Sequence, residues 1–310
     1  MDRIRIAIVG YGKIAQDQHV PSIAANDRFE LVATVSRSSG APEGIPCFGS
    51  VEDLLANGPR VDAVAICTPP SVRYEIARTC LAAGLHSLLE KPPGVTLGEC
   101  EELVRIAAEK QLSLFTTWHA QYNPAVEAAA ERLAGQRIAS MRIVWREDVR
   151  KWHPGQQWIW APGGFGVFDP GINALSIASR IFPGALIVRG AELSFPSNRD
   201  TPIAAKLAMV SPAADGAVEA EFDWRQTGNQ IWEIEADTEA FRLKLANGGS
   251  RLEIDGELIT DEPPAEYEAI YARFDELLRT GASDVDADPF RLVADAFMIG
   301  RRATVEPFED

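Results

Sequence analysis

The sequence has few cysteines and histidines, and neither type is spaced like a metal site. The four cysteines, Cys47, Cys67, Cys80 and Cys100, are not paired at the spacing of zinc ligands, and the four histidines form no H-x-x-x-H pattern. Cys67 ends an apolar run and Cys80 lies in a predicted helix, which is typical of small core residues. We therefore expect no bound metal, and an intracellular setting would disfavour disulfides.

Long apolar runs are also absent. The apolar run near the start has the length of a strand, and no stretch approaches the roughly 20 residues that cross a bilayer or the pattern of a secretory leader. The chain has 310 residues, of which 46% are hydrophobic and 24% charged. This composition is typical of a globular protein with two domains. The sequence therefore predicts a cytoplasmic protein with no membrane partner.

Basic residues are in the minority. The 30 Lys and Arg residues stand against 45 Asp and Glu residues, which gives a formal net charge of −15. A surface of this sign repels the phosphates of nucleic acids and of anionic lipids. We therefore expect no nucleic-acid partner, and a small molecule as the substrate.

Glycine, in contrast, occurs where it indicates a nucleotide. A buried-strand pattern over residues 3–9 runs into residues 10–15, which read Gly-Tyr-Gly-Lys-Ile-Ala. In such a G-x-G-x-x-A turn the first glycine allows the tight bend, the second lets a pyrophosphate approach, and the small third residue lets helix and strand pack closely. The amides that open the helix would face the phosphates. The predicted cofactor contacts here are Gly10, Gly12, Lys13 and Ile14.

The end of the second predicted strand, residues 30–35, indicates which dinucleotide is bound. It continues into Ser36-Arg37-Ser38-Ser39, without the carboxylate that holds the ribose in NAD enzymes. A hydroxyl followed by the planar donor fork of an arginine suits a 2′-phosphate. We therefore expect Ser36 and Arg37 to favour NADP, with NAD as the alternative cofactor. The other interpretation is that Arg37 is an ordinary solvated loop residue.

The order of predicted elements changes at about residue 120, where alternating strands and helices give way to consecutive strands with tight turns. Alternation predicts a parallel sheet covered on both faces, and consecutive strands predict an antiparallel one. The predicted fold class is α/β. A doubly wound Rossmann domain over residues 1–120 precedes an α/β domain over residues 121–310, which has a large open, mostly antiparallel sheet and C-terminal helices.

A second motif begins at the last residue of the predicted strand over residues 86–90. Glu90-Lys91-Pro92-Pro93 lies at the carboxyl end of a parallel strand, the edge that also carries the glycine turn. A lysine there can hydrogen-bond a substrate hydroxyl and stabilise developing alkoxide charge. A cis Pro92 would hold it in a fixed direction. The alternative is a surface lysine beside a loop proline.

These motifs together resemble the glucose-fructose oxidoreductase / inositol dehydrogenase / MocA family. The resemblance rests on residues 10–15, Thr68-Pro69-Pro70, residues 82–86, Glu90-Lys91-Pro92 and the glycine-rich residues 163–173, and so spans about the first 175 residues. Within the family, residues 13–21, 90–94 and 168–173 are most similar to bacterial L-arabinose/D-galactose 1-dehydrogenases.

The resemblance implies hydride transfer between a nicotinamide cofactor and a hydroxyl-bearing carbon. The expected activity is NADP-preferring oxidation of an aldose, D-galactose or L-arabinose, at its anomeric carbon to the aldonolactone. Thr68, Glu90 and Lys91 are expected at the cofactor, and the second sheet is expected to form a homodimer interface. The alternatives are a dehydrogenase or reductase of an inositol, another polyol or an imine, and a sensor that binds nucleotide and sugar without turnover.

Asp169 is the preferred catalytic base. The inositol-type enzymes have a histidine where this chain has Asn173, and an amide cannot accept a proton near neutral pH. Asp169 and Asn173, four residues apart, would share a helix face, so Asn173 is expected to orient a sugar hydroxyl. In the alternative, Asp169 is a helix N-cap before Pro170, and Lys91 accepts the proton if burial depresses its pKa.

The expected sugar contacts are polar or aromatic side chains of the second domain, since indole faces suit the C–H side of a pyranose. Glu147, on a strand face with apolar residues up to Val149, needs polar partners. Trp145, Trp160 and Trp224 are expected in the core. The predicted substrate-binding residues are His119, Glu147, Trp152, His153 and Trp232.

Overall fold

The computed structural model describes residues 3–38 and 40–309, so that Ser39, in the predicted ribose-binding turn, lies outside the described residues. The chain forms two compact units. The first comprises Met1–Trp118 and Tyr267–Ala287, and the second comprises His119–Glu266 and Asp288–Asp310. The boundary that the sequence predicts after residue 120 would assign Tyr267–Ala287 to the second domain, whereas this segment lies in the first compact unit. The predicted division into two folding domains stays a prediction.

The first unit contains a parallel sheet of dinucleotide-binding type. Among its described residues, six strands pair in the order β3-β2-β1-β4-β5-β6, and every pairing is parallel. The strand order reverses between β1 and β4, where open α/β sheets bind their ligands. This confirms the predicted Rossmann fold. The strands are β1 (Ile4–Val9), β2 (Phe29–Val35), β3 (Cys47–Phe48), β4 (Ala63–Ile66), β5 (His86–Glu90) and β6 (Leu114–Thr117).

Local sequence signals explain where the helices of this unit begin. Ser50 accepts a hydrogen bond from the amide of Asp53 at 3.1 Å. Thr96 and Glu99 form a reciprocal capping box. The helix that the glycine turn opens contains a π-helical turn, Ala15–His19, before its α-helical part, Val20–Ala24. The α-helices of this unit are Val20–Ala24, Val51–Asn57, Pro70–Ala82, Leu97–Lys110 and Glu266–Thr280. The first residue of the last helix, Glu266, belongs to the second unit.

The second unit contains the large, mostly antiparallel sheet that the sequence predicts. Its described residues form nine strands in the order β14-β13-β12-β11-β7-β10-β9-β8-β15, with parallel pairing only at β7–β10 and β8–β15. The strands are β7 (Ile138–Arg146), β8 (Ile187–Pro196), β9 (Ala204–Val210), β10 (Val218–Asp223), β11 (Ile231–Thr238), β12 (Arg242–Ala246), β13 (Arg251–Ile254), β14 (Glu257–Asp261) and β15 (Arg301–Val305).

Two edge strands of this sheet were not expected. The final helix ends at Ile299, and β15 follows Gly300. The side chains of β14 and β15 are largely exposed. Such strands lack the alternation of apolar and polar residues by which a half-buried strand is recognised.

Helix Phe168–Ile181 covers one face of the second sheet. Most of its side chains are buried, and the Phe168 ring meets the Phe222 ring edge-on at 5.8 Å. A Cβ atom at Gly171 would lie 3.2 Å from that same ring, so glycine allows the close approach. The other helices of the unit are Val126–Leu133, Val149–Trp152 and Asp288–Ile299. In the described part of the chain, no helix has the length and apolar character needed to cross a membrane.

Candidate active site

A cavity of 590 Å³ opens in the first unit beyond the carboxyl ends of β1, β2 and β4. This is the position that the strand order predicts for a nucleotide. The predicted cofactor residues that line it are Gly10, Gly12, Ser36, Arg37 and Thr68, and Tyr11, Ser38 and Cys67 lie among them.

The two glycines of the turn have different roles. Gly10 has a φ of +94°, and a Cβ atom there would lie 2.9 Å from the backbone nitrogen of Thr68. A Cβ atom at Gly12 would meet no atom within 4 Å, so the space beside this backbone is open to a ligand. Helical structure begins at Lys13, directly after the turn. The residues present therefore fit a dinucleotide whose pyrophosphate lies at a helix start.

The residues after β2 present donors to the cavity. Arg37 is exposed there, and the Ser36 and Ser38 hydroxyls lie 3.0 Å apart. The Lys13 ammonium pairs with Asp17 on the surface. Neither Lys13 nor Ile14 is among the described residues that line the cavity, so their contacts to the cofactor stay predictions.

Glu90 is the last residue of β5 in the same unit, Lys91 follows it, and the Lys91–Pro92 peptide is cis. The Glu90 carboxylate is buried and accepts hydrogen bonds from His19 Nε2 at 2.9 Å and from the Tyr267 hydroxyl at 2.7 Å. Its other oxygen accepts from the Lys91 backbone amide at 3.1 Å. These bonds orient Glu90 within the protein, and its predicted contact to the cofactor stays a prediction.

Sequence reasoning missed His19 and the role of Arg73. His19 is fully buried and its Nδ1 lies 2.8 Å from the Tyr271 hydroxyl. Burial lowers the pKa of His19, but Cys67, Tyr271 and Glu90 outweigh it and hold the pKa well above the ordinary value. The buried Arg73 donates to the backbone carbonyls of residues 68, 90 and 92. No sequence spacing could reveal these contacts, because the partners come from separate elements.

Asp169 lies in the second unit, in the first turn of helix Phe168–Ile181. The N-cap residue is Val167, with no side-chain cap bond, so the interpretation of Asp169 as the N-cap is wrong. The helix begins before Asp169, whose own amide donates to the Gly166 carbonyl at 2.8 Å. Asp169 is buried, and one carboxylate oxygen lies 3.4 Å from His153 Nε2. Asn173, one turn further on, is half-buried.

Glu147 lies between two tryptophans of the second unit. Its carboxylate accepts hydrogen bonds from Trp224 Nε1 at 3.2 Å and from Trp232 Nε1 at 3.0 Å. The expectation that its strand continues to Val149 is wrong: β7 ends at Arg146, because Asp148 caps the short helix Val149–Trp152. Because Glu147 is buried, its carboxylate needs hydrogen-bond donors, and the two indoles are such donors.

The remaining predicted residues divide between the candidate site and the core. Trp152 is 41% exposed, and its ring lies 5.5 Å from that of Trp232. His119 Nδ1 lies 2.9 Å from a Glu266 carboxylate oxygen, and its contact to substrate stays a prediction. Trp145, Trp160 and Trp224 are buried, as predicted. The structure thus brings Glu147, Trp152, His153, Asp169 and Trp232 together through direct neighbours in one unit.

Comparison with known proteins agrees with this geometry. Residues 4–117 match the model of an oxidoreductase family with an NAD-binding Rossmann fold. Galactose 1-dehydrogenase of Pseudomonas fluorescens is 47% identical over 310 residues, which is 100% of both chains. The crystal structure of D-galactose-1-dehydrogenase from Rhizobium etli is 52% identical with a TM-score of 0.95, and the match covers 100% of this chain and 99% of that chain.

A more distant structure shares the fold alone. A variant 3-ketoreductase from Actinomadura kijaniata, solved with NADP, is 20% identical with a TM-score of 0.85, and the match covers 98% of this chain and 100% of that one. The two full-length relatives carry the assignment. This chain belongs to the glucose-fructose oxidoreductase / inositol dehydrogenase / MocA family of oxidoreductases.

Proposed function

We propose that the protein oxidises an aldose of the D-galactose or L-arabinose type at its anomeric carbon to the aldonolactone, with NADP as the preferred cofactor. The observation that carries this proposal is the full-length similarity to a galactose 1-dehydrogenase. The buried Asp169 beside His153 supports it, because oxidation of a hydroxyl needs a proton acceptor.

Asp169 is the proposed base for the anomeric hydroxyl. Its carboxylate can accept the proton as the carbon loses hydride, whereas the Asn173 amide can only donate to or accept from a sugar hydroxyl. The bound nicotinamide supplies the hydride acceptor. His153, at 3.4 Å from Asp169, orients the carboxylate and contacts the sugar.

Lys91 is proposed to donate a hydrogen bond to the substrate hydroxyl and to stabilise its developing negative charge. The bonds that Arg73 makes to the carbonyls of residues 90 and 92 flank this lysine. Its peptide amide is held by Glu90 at 3.1 Å. A lysine whose backbone is fixed on both sides loses less freedom when it binds a hydroxyl.

The proposed sugar contacts are His119, Glu147, Trp152, His153 and Trp232. Trp152, which is 41% exposed and has the Lys151 ammonium 4.9 Å from its ring centre, is proposed to pack against the apolar side of a pyranose. Glu147 is proposed as a hydrogen-bond acceptor for a sugar hydroxyl, since a carboxylate has about four lone-pair sites. It can therefore accept from a sugar hydroxyl while it stays paired.

A homodimer through the second sheet is also proposed. A groove of 740 Å³ on this sheet is lined by charges of both signs, Arg142, Glu192, Lys206, Glu219, Glu221 and Arg301. A two-fold axis places the same patch on both partners, so a surface that mixes charges can pair with itself.

Initial rates with a panel of aldoses and cyclitols, each with NADP and with NAD, and with imines, each with NADPH and with NADH, test the proposal. The ultraviolet absorbance of reduced nicotinamide reports turnover. Oxidation of galactose or arabinose, faster with NADP, is expected. Turnover only with cyclitols or imines, or cofactor binding without any turnover, would contradict it and would support one of the alternatives raised by the sequence.

A further inference from the structure

Residues 306–309 lie against a segment that carries two predicted sugar contacts. We call residues 149–160 the aromatic loop, because Trp152, His153, Trp158 and Trp160 lie in it. The loop consists of the helix Val149–Trp152, a connection, and the 3₁₀ turn Gln157–Trp160. Residues 306–309 contact both the helix and the 3₁₀ turn.

The first contact is made with the helix at the start of the aromatic loop. The Arg150 guanidinium lies 4.8 Å from the centre of the Phe308 ring, a cation–π distance. Arg150 Nε also donates to the Glu309 carbonyl at 3.4 Å. Arg150 is three residues before His153 in the sequence.

The second contact is made with the far end of the loop. The Trp160 and Phe308 rings lie 5.7 Å apart, and both are largely buried. Trp160 then meets Trp224 edge-on at 5.3 Å, and the Trp224 ring lies 5.3 Å from that of His153. The Phe308 ring is thus one end of a continuous series of ring contacts that leads to His153 and, through it, to Asp169.

Residues 306–309 are anchored independently of the aromatic loop. The Asn198 side chain donates to the Phe308 carbonyl at 3.0 Å and accepts from the Phe308 amide at 2.9 Å. The Ser197 amide donates to the Val305 carbonyl at 3.1 Å, which continues the parallel pairing of β8 with β15. The segment is therefore fixed to the sheet, and the loop is fixed to the segment.

We propose that residues 306–309 form a strap that holds the aromatic loop in its sugar-binding conformation, with Phe308 as the positioning residue. The inference rests on the proposed function, since it assumes that Trp152 and His153 contact the sugar. A loop held at both ends before the sugar arrives does not have to be ordered during binding. The strap acts on affinity for the sugar and not on the cofactor cavity, whose lining residues all belong to the first unit.

The test compares Phe308→Ala and Phe308→Leu with Phe195→Ala. Phe195 is a matched control, because it lies on β8 and makes the same kind of contact as Phe308, with the Arg302 guanidinium 5.3 Å from its ring, but to a residue outside the aromatic loop. Phe308→Ala should raise KM for galactose roughly ten-fold, the order expected when a loop must be ordered on binding. The Kd for NADP should stay unchanged, and Phe308→Leu should recover part of the loss. Phe195→Ala should leave both constants unchanged.

Hydrogen–deuterium exchange of the sugar-free protein separates this inference from the proposed function. Amides of the aromatic loop should exchange faster in Phe308→Ala and at the wild-type rate in Phe195→Ala. If the wild type oxidises no aldose, the proposed function is wrong, and the exchange measurement still decides the strap. Unchanged exchange in Phe308→Ala, or the same increase in exchange in Phe195→Ala, would overturn the strap. A lower melting temperature of Phe308→Ala without any change in KM would also overturn it.

Discussion

At the residue scale, the proposed cofactor preference depends on one exposed guanidinium. Arg37→Ala should weaken NADP binding about ten-fold or more, because a charge-assisted hydrogen bond contributes roughly 1.5–3 kcal/mol, while the Kd for NAD changes little. Fluorescence titration with both cofactors measures this. Arg60→Ala, which removes a 78% exposed guanidinium that is not among the residues lining the cavity, is the control. Equal losses for NADP and NAD would show that Arg37 does not read the 2′-phosphate.

A second residue-scale prediction concerns the base. Asp169→Asn keeps the shape of the side chain but removes the proton acceptor, so kcat should fall by about 10² to 10⁴. The Kd for NADP should not change. Asp215→Asn, at an exposed carboxylate paired with Arg137, is the matched control. Turnover that survives in Asp169→Asn would eliminate this residue as the base and leave Lys91 as the candidate.

The third residue-scale prediction follows from the raised pKa of His19. A histidine whose pKa is higher in the folded than in the unfolded state stabilises the protein fully below its ordinary pKa of about 6.5. This contribution is lost as the pH rises through the raised folded-state pKa. His19→Gln should therefore cost more unfolding free energy at mildly acidic than at alkaline pH. Urea unfolding of both proteins across this range measures the difference, and a cost that is independent of pH would contradict it.

At the element scale, helix starts are where local sequence acts most directly. The Thr96–Glu99 capping box satisfies amides that the helix leaves without partners. Thr96→Ala should lower the unfolding free energy by about 1 kcal/mol and leave kcat unchanged. Glu101→Ala, an exposed position of the same helix, should have little effect. Equal stability of Thr96→Ala and the wild type in urea unfolding would mean that the cap contributes nothing.

At the scale of the whole molecule, the proposed homodimer can be tested through its charge pattern. Lys206 lies on β9 in the charged groove of the second sheet. Lys206→Glu should weaken self-association, because like charges would then meet across a two-fold axis. Light scattering after size-exclusion chromatography over a range of concentrations gives the mass. Lys110→Glu, on a helix of the first unit, is the control for net charge, and a monomeric wild type would refute the dimer.

The sequence by itself determined the features that depend on neighbours along the chain. The glycine turn, the alternation of strand and helix up to about residue 120 and the motif at Glu90-Lys91-Pro92 predict the Rossmann fold and the family, because each is a local pattern with a local physical cause. The helix that carries Asp169 and Asn173 was also predicted, and the structure gives it the bounds Phe168–Ile181. The exposed strand β15 was not, because exposed side chains give no apolar alternation.

Only the tertiary structure decided which side chains meet. It places Glu90 against His19 and Tyr267, which are 71 and 177 residues away in the sequence. It also pairs Glu147 with two indoles, 77 and 85 residues away. Contacts of this kind depend on strand order and packing, and a buried polar group takes whichever partner the fold brings within reach. The sequence therefore specifies the type of chemistry, and the packing of distant elements specifies the arrangement that performs it.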